Sequence, residues 1–118
     1  MSTHPNLVLM AVLTPDGLTR KTARQIRADN NLKGEWDELK IGKQEYYVIV
    51  MKDDWDESHQ ITAKEGNIVL HELMTYGYGE SVSWDELHEA KVALDAWCDQ
   101  NCHKYNCKYE IRVSANYW

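Results

Sequence analysis

Apolar and polar residues are patterned in three ways along this chain, and each pattern predicts a different element. The run NLVLMAVL at 6–13 lies between Pro5 and the turn sequence TPDG and is apolar from Leu7 onward. A run that short and unbroken predicts a central strand covered on both faces. In TPDG, Pro15 takes the second turn position and Gly17 the fourth. Ala23, Ile26 and Asn30 then recur at helical spacing, predicting a short helix over 20–30 that Thr19 caps and Asp29-Asn30-Asn31 ends. ELKIGKQEYYVIVMK predicts a hairpin with Gly42-Lys43 as a two-residue type II′ turn, and its return strand over 46–51 is again wholly apolar. A second hairpin is predicted in HQITAKEGNIVLHELMTY, turning at AKEG and returning over 67–76.

The clearest helix follows GYGE. Ser83 and Glu86 stand at capping-box spacing, with Val82 and Leu87 at the flanking staple positions. Leu87, Ala90, Leu94, Trp97, Asn101 and Tyr105 form the predicted inward stripe. In the last strand, KYEIRVSA, Tyr109, Ile111, Val113 and Ala115 face one side, and Lys108, Glu110, Arg112 and Ser114 the other.

The order β-α-(β)-β-(β)-β-α-β predicts an α+β fold. Two β-α-β units sharing a sheet make a ferredoxin-like βαββαβ sandwich, here with an extra hairpin, an antiparallel sheet and two helices on one face. The 118 residues make a single domain, 1–118, without internal repeat or linker. In this topology YYVIVM falls at an edge. It is too apolar to be left open, so the extra hairpin strand, a subunit or a partner must cover it.

Composition narrows the function classes. Five Trp, seven Tyr and no Phe favour rings with a polar tip, which suit interfaces and ligand walls as well as cores. A net charge of −6 argues against direct binding of duplex DNA. The apolar stretch at 7–13 falls well short of the ~20 residues of a membrane helix and has no basic leader before it, so no membrane partner and a cytoplasmic location are expected. An odd number of cysteines fits a reducing compartment.

All three cysteines lie in WCDQNCHKYNC at 97–107. With His103 they number four potential zinc ligands, but C-x3-C-H-x3-C matches neither finger nor ribbon spacing. They are expected to be small apolar fillers at a helix end, with no metal site. Elsewhere, Arg20, Arg24 and Arg27 make a basic stripe with Lys21 beside it, suited to phosphates or to an acidic protein surface, or simply solvated. TYGYGES precedes a helix, so Tyr76, Tyr78 and Glu80 are a candidate ligand loop. His59, His71 and His88 are scattered and define no triad. The strongest constellation is acidic. Trp36 stands among Glu35, Asp37 and Glu38, and Trp55 among Asp53, Asp54, Asp56 and Glu57. A tryptophan ringed by carboxylates is a natural anchor for a basic protein partner. The EF-hand loop pattern is not present in these segments.

Small, acidic, Trp- and Tyr-rich domains resemble bacteriophage early proteins that disarm the host. More specifically, LVLMAVL, a helix ending in IRA, LKGEWDELKIGKQEYYVIV and the helical EAKVALDAWCDQNC are similar in order and spacing to the phage S-adenosylmethionine lyases. That resemblance implies a ferredoxin-like core, trimeric assembly with the ligand between subunits, and an acidic residue with a tyrosine near the hairpin. Here those are Glu45 with Tyr46 or Tyr47. The substrate's own carboxylate closes a lactone and expels a neutral thioether, so the protein supplies mainly orientation and aromatic walls.

The favoured expectation is a cofactor-free, homo-oligomeric counter-defence protein of the anti-restriction or anti-CRISPR type. It binds and inhibits a host defence or nucleic-acid-processing protein through Trp36, Asp37, Asp53, Asp54, Trp55, Asp56 and Glu57. The alternative is a lyase that destroys S-adenosylmethionine, working through Glu45, Tyr46 and Tyr47. A third is a small ligand-binding regulatory domain using the glycine-tyrosine loop.

Overall fold

The computed structural model describes residues 5–34, 37–51, 55–56, 61–62, 66–72 and 84–117. The elements are β1 (Pro5–Pro15), α1 (Thr19–Asp29), β2 (Glu38–Ile41), β3 (Gln44–Val50), β4 (Trp55–Asp56), β5 (Ile61–Thr62), β6 (Ile68–Glu72), α2 (Trp84–Tyr105) and β7 (Cys107–Tyr117). Five strands form one antiparallel sheet in the order β2-β3-β6-β1-β7. This is the ferredoxin-like α+β sandwich with one extra strand. The two β-α-β units interleave, so β1 and β6 lie centrally.

β1 is buried on both faces, as its unbroken apolar run predicts. Leu9, Ala11 and Leu13 point toward the helices and pack with Ala23, Ile26, Leu94 and Cys98. Val8, Met10 and Val12 point the other way and cluster with Val69 and Met51. None of these six β1 side chains is more than 5% exposed. Residues of both helices appear only in the first cluster, so α1 and α2 share one face of the sheet.

The apolar strand β3 is covered by the extra hairpin strand. β2 pairs along it from Glu38↔Tyr47 to Ile41↔Gln44. Gly42 takes φ +62 and Lys43 does not take positive φ, the combination a type II′ turn needs. The predicted second hairpin differs. Ile61–Thr62 pairs with Trp55–Asp56 in a separate two-stranded ribbon, whereas β6 pairs with β1 on one side and β3 on the other. Ile68, Val69 and Leu70 are wholly buried. A strand apolar on both faces gains most in mid-sheet, and with both edges used there it has none left for a local hairpin partner.

Two helix details also depart from expectation. Leu18, not Thr19, sits at the N-cap of α1, and it makes no side-chain cap bond. Thr19 is the first helical residue, and its hydroxyl donates to the Gly66 carbonyl at 2.7 Å, tying α1 to the entry of β6. In α2 the buried positions are Ala90, Leu94, Cys98, Cys102 and Tyr105, while Leu87, Trp97 and Asn101 are half-buried. The stripe has turned onto the cysteines because small side chains let the helix approach the sheet, leaving the Trp97 ring to flank the contact. Cys98 is fully buried and Cys102 is nearly so, as small fillers should be. The proposed cap residue Ser83 lies outside the described residues.

Both helices end in asparagines with left-handed backbone, Asn31 at φ 59 and Asn106 at φ 53. Asparagine tolerates this conformation better than most residues and stops a helix there. Asn106 alone separates α2 from β7. No described helix is long and apolar enough to cross a membrane.

Candidate functional site

Two groupings bring chemistry-bearing side chains together. The first surrounds the start of α2. Trp84 is 84% exposed, and Asp85, Glu86 and Glu89 around it are exposed as well. Carboxylates in a first helical turn are favoured by the positive end of the helix dipole, so the site is stable with the ring left in water. Lys43 of the hairpin turn reaches Glu89 at 3.5 Å across a cleft of about 460 Å3 lined also by Gln44, Glu86 and Ala90. Gly42 sets the closeness of that approach, since a Cβ there would sit 3.0 Å from the Ala93 Cβ.

The sequence pattern does not mark Trp84 as a contact residue, because its neighbours Ser83 and Glu86 stand at capping-box spacing. A signal for it exists in the chain. The tripeptide Trp-Asp-Glu occurs three times, at 36–38, 55–57 and 84–86, although the sequence shows no longer repeat. Of the predicted acidic set, Asp37 is exposed and fastens its own loop, accepting from the backbone N–H groups of Lys33 and, at 3.2 Å, Gly34. Trp55 and Asp56 form β4, and their side chains lie outside the described residues. Trp36, Asp53, Asp54 and Glu57 lie outside them altogether, as do Tyr76, Tyr78 and Glu80 of the glycine-tyrosine loop.

The second grouping lies on the sheet face away from the helices, whose centre is the buried cluster around Met10 and Val69. One register row crosses all five strands there: Glu38 opposite Tyr47, Tyr47 opposite His71, His71 opposite Met10, and Met10 opposite Arg112. Glu45, two residues before Tyr47, shares this face and stands opposite Lys40. The Glu38 and Glu45 carboxyl groups are hydrogen-bonded to each other. That bond, with the repulsion between their charges, raises the Glu38 carboxyl above its ordinary value. At the far edge Arg112 makes a two-point contact with Glu110, both bonds at 3.1 Å, which holds the Glu110 carboxyl below its ordinary value. Of the predicted catalytic residues, Glu45 and Tyr47 therefore lie together. Tyr46 points the opposite way and is wholly buried in the helix-side core. Alternation along a strand requires this separation.

The basic stripe on α1 is divided. Arg20, Lys21 and Arg24 are exposed, but Arg27 turns inward and donates to the Val48 carbonyl at 3.0 Å. Burial pushes the Cys98 thiol up to about 12, so it stays protonated at neutral pH. Among the described residues, no three His, Cys, Asp or Glu side chains converge as metal ligands would. Comparison of the chain with protein-family models, with curated proteins and with solved structures found no match.

Proposed function

We propose that this protein is a phage-type counter-defence inhibitor that grips a basic surface of a host defence or nucleic-acid-processing protein with tryptophans set among carboxylates. The observation that carries this reading is Trp84, 84% exposed amid the exposed Asp85, Glu86 and Glu89, in one of three identical Trp-Asp-Glu tripeptides. Leaving so large an apolar ring in water has no value to folding, whereas burying it in a partner contributes strongly to binding. The surrounding charge speeds encounter with a cationic patch and disfavours nucleic acid itself. The inhibitor acts in the host cytoplasm and needs no cofactor. The test is whether purified protein blocks cleavage of unmodified DNA by a restriction nuclease, and whether Trp84→Ala relieves the block. An inhibitor unaffected by Trp84→Ala, Trp55→Ala and Trp36→Ala alike does not use this surface.

The carboxyls and the ring gathered at the β2–β3 end of this row, on the sheet face away from the helices, favour a second reading, the S-adenosylmethionine lyase. Glu45 and Glu38 supply paired carboxyls for a sulfonium, and Tyr47 an aromatic wall. In that case the chain assembles as trimers. Incubation with S-adenosylmethionine releases methylthioadenosine, and Glu45→Gln stops the release without unfolding the protein. The absence of methylthioadenosine over hours rejects the lyase and leaves the inhibitor standing.

A further inference from the structure

The end of α2 and the start of β7 bring two thiols into contact. Cys102 Sγ and Cys107 Sγ lie 3.1 Å apart, joined across the single left-handed turn residue Asn106. Cys102 is 6% exposed and packs in the core, whereas Cys107 is half-buried and stands at the sheet edge opposite Pro15. We propose that Cys102 and Cys107 are a redox-active dithiol, oxidised by a hydroperoxide to an intramolecular disulfide that fastens the last turn of α2 to the first residue of β7.

The two sulfurs need only close from 3.1 Å to the ~2.05 Å of a disulfide bond. Their roles differ. The hydrogen bond between the two sulfurs lowers the Cys107 thiol below its ordinary value, against burial and the nearby Asp16 carboxylate. That same bond, together with burial, raises Cys102. Cys107 is therefore the readier of the two to lose its proton, and it is the more accessible.

In the first step Cys107 Sγ attacks the terminal peroxide oxygen. The O–O bond breaks, a sulfenic acid forms on Cys107, and the alcohol or water leaves with a proton from the Cys102 thiol. In the second step Cys102 Sγ attacks Cys107 Sγ, the S–O bond breaks, and the hydroxyl departs as water after protonation. Two thiols lose two electrons and two protons, and the hydroperoxide takes up both. Cys98 lies one helical turn before Cys102, but it is fully buried and held protonated, so it stands aside.

The test treats the reduced full-length protein with hydrogen peroxide, blocks remaining thiols with iodoacetamide and digests with trypsin. Cleavage at Lys104 separates the two cysteines. The expected product has lost two hydrogens, carries one alkylated thiol, and joins peptides 92–104 and 105–108 until dithiothreitol releases them. Cys98→Ser should give the same linked product at a rate within about twofold of wild type, because Cys98 is a bystander. Cys102→Ala should give none and let Cys107 proceed to sulfinic acid. Three alkylated thiols, under conditions that fully oxidise glutathione, would overturn the proposal. So would a bridge lost in Cys98→Ser, or one between two molecules. Fragmentation of the linked wild-type peptides, with the alkyl group on Cys98 and the bridge on Cys102 expected and the reverse overturning the proposal, decides the matter even if a variant fails to fold.

Discussion

Replacing Trp84 with alanine should separate folding from binding more cleanly than any other change to this protein. With the residue 84% exposed, only about a sixth of its surface is covered in the free chain. For a Trp side chain burying at most ~250 Å2, that is roughly 40 Å2, worth ~1 kcal/mol at ~25 cal/mol per Å2. Alanine is the better helix former by roughly 0.5 kcal/mol, so the net cost to folding is about 0.5 kcal/mol. A partner that covers the rest removes ~200 Å2 from water, a gross gain of about 5 kcal/mol. Truncated aromatic anchors measured in other interfaces lose ~2 kcal/mol or more of it, which is ~30-fold in affinity. The assay pairs two readings on the same variant: a urea melt, and the concentration that half-inhibits a restriction nuclease on unmodified DNA. A melt lowered by no more than about 0.5 kcal/mol with a ~30-fold higher inhibitory concentration is the expected pair. The same small change in the melt with unmoved inhibition refutes the argument that this exposed ring is there for a partner. A collapsed melt refutes the placement of the ring in solvent.

Other changes test the framework that positions the site. Gly42→Ala should cost about 1–2 kcal/mol in a urea melt, because its left-handed backbone disfavours a side chain and the new Cβ would press on Ala93. Thr19→Val should cost about 1 kcal/mol in the same assay by leaving the Gly66 carbonyl without its hydroxyl donor. Asp29 accepts from Lys104 at 2.8 Å, from Gln25 at 2.9 Å and from Tyr105 at 3.0 Å, and these bonds hold its carboxyl below its ordinary value of 3.8. A lowered folded-state value stabilises the protein above 3.8, and the gain disappears as pH falls through the folded value, so wild type should exceed Asp29→Asn in melts near neutral pH and converge with it in acid. Glu45→Gln should move the Glu38 titration, followed by carboxyl NMR, back down toward its ordinary value by removing the carboxyl hydrogen-bond partner and the charge that oppose ionisation.

The elements that were legible in the chain are those whose pattern is local. The unbroken run of β1, the alternation of β7 and the Gly42-Lys43 turn each carry their own period or backbone demand, and each stands where its pattern placed it. The order of elements was enough for the ferredoxin-like topology, because right-handed β-α-β crossovers leave few ways to interleave two units in one sheet. The cover of β3 was foreseen as a need, since an edge that apolar must be paired, and the preceding strand meets it.

What required tertiary structure was anything set by distance between separate strands and helices. Ile61 and Thr62 carry no mark of whether they pair forward or back, and the competition for the two edges of β6 decided it. Tyr46 and Tyr47 are chemically alike and adjacent, yet alternation sends one wholly into the helix-side core and leaves the other half-buried on the opposite face. The row from Glu38 to Arg112 draws one residue from each of five strands, so its members are brought together only by pairing. Cys102 and Cys107 were visible as neighbours in sequence. Their 3.1 Å contact depends on Asn106 reversing the backbone within one residue, so that the inward face of the helix and the edge of the sheet meet at the same point. Sequence periodicity assigns each residue a face of its own element. Only packing decides which faces meet, and in this protein the candidate chemistry lies where they do.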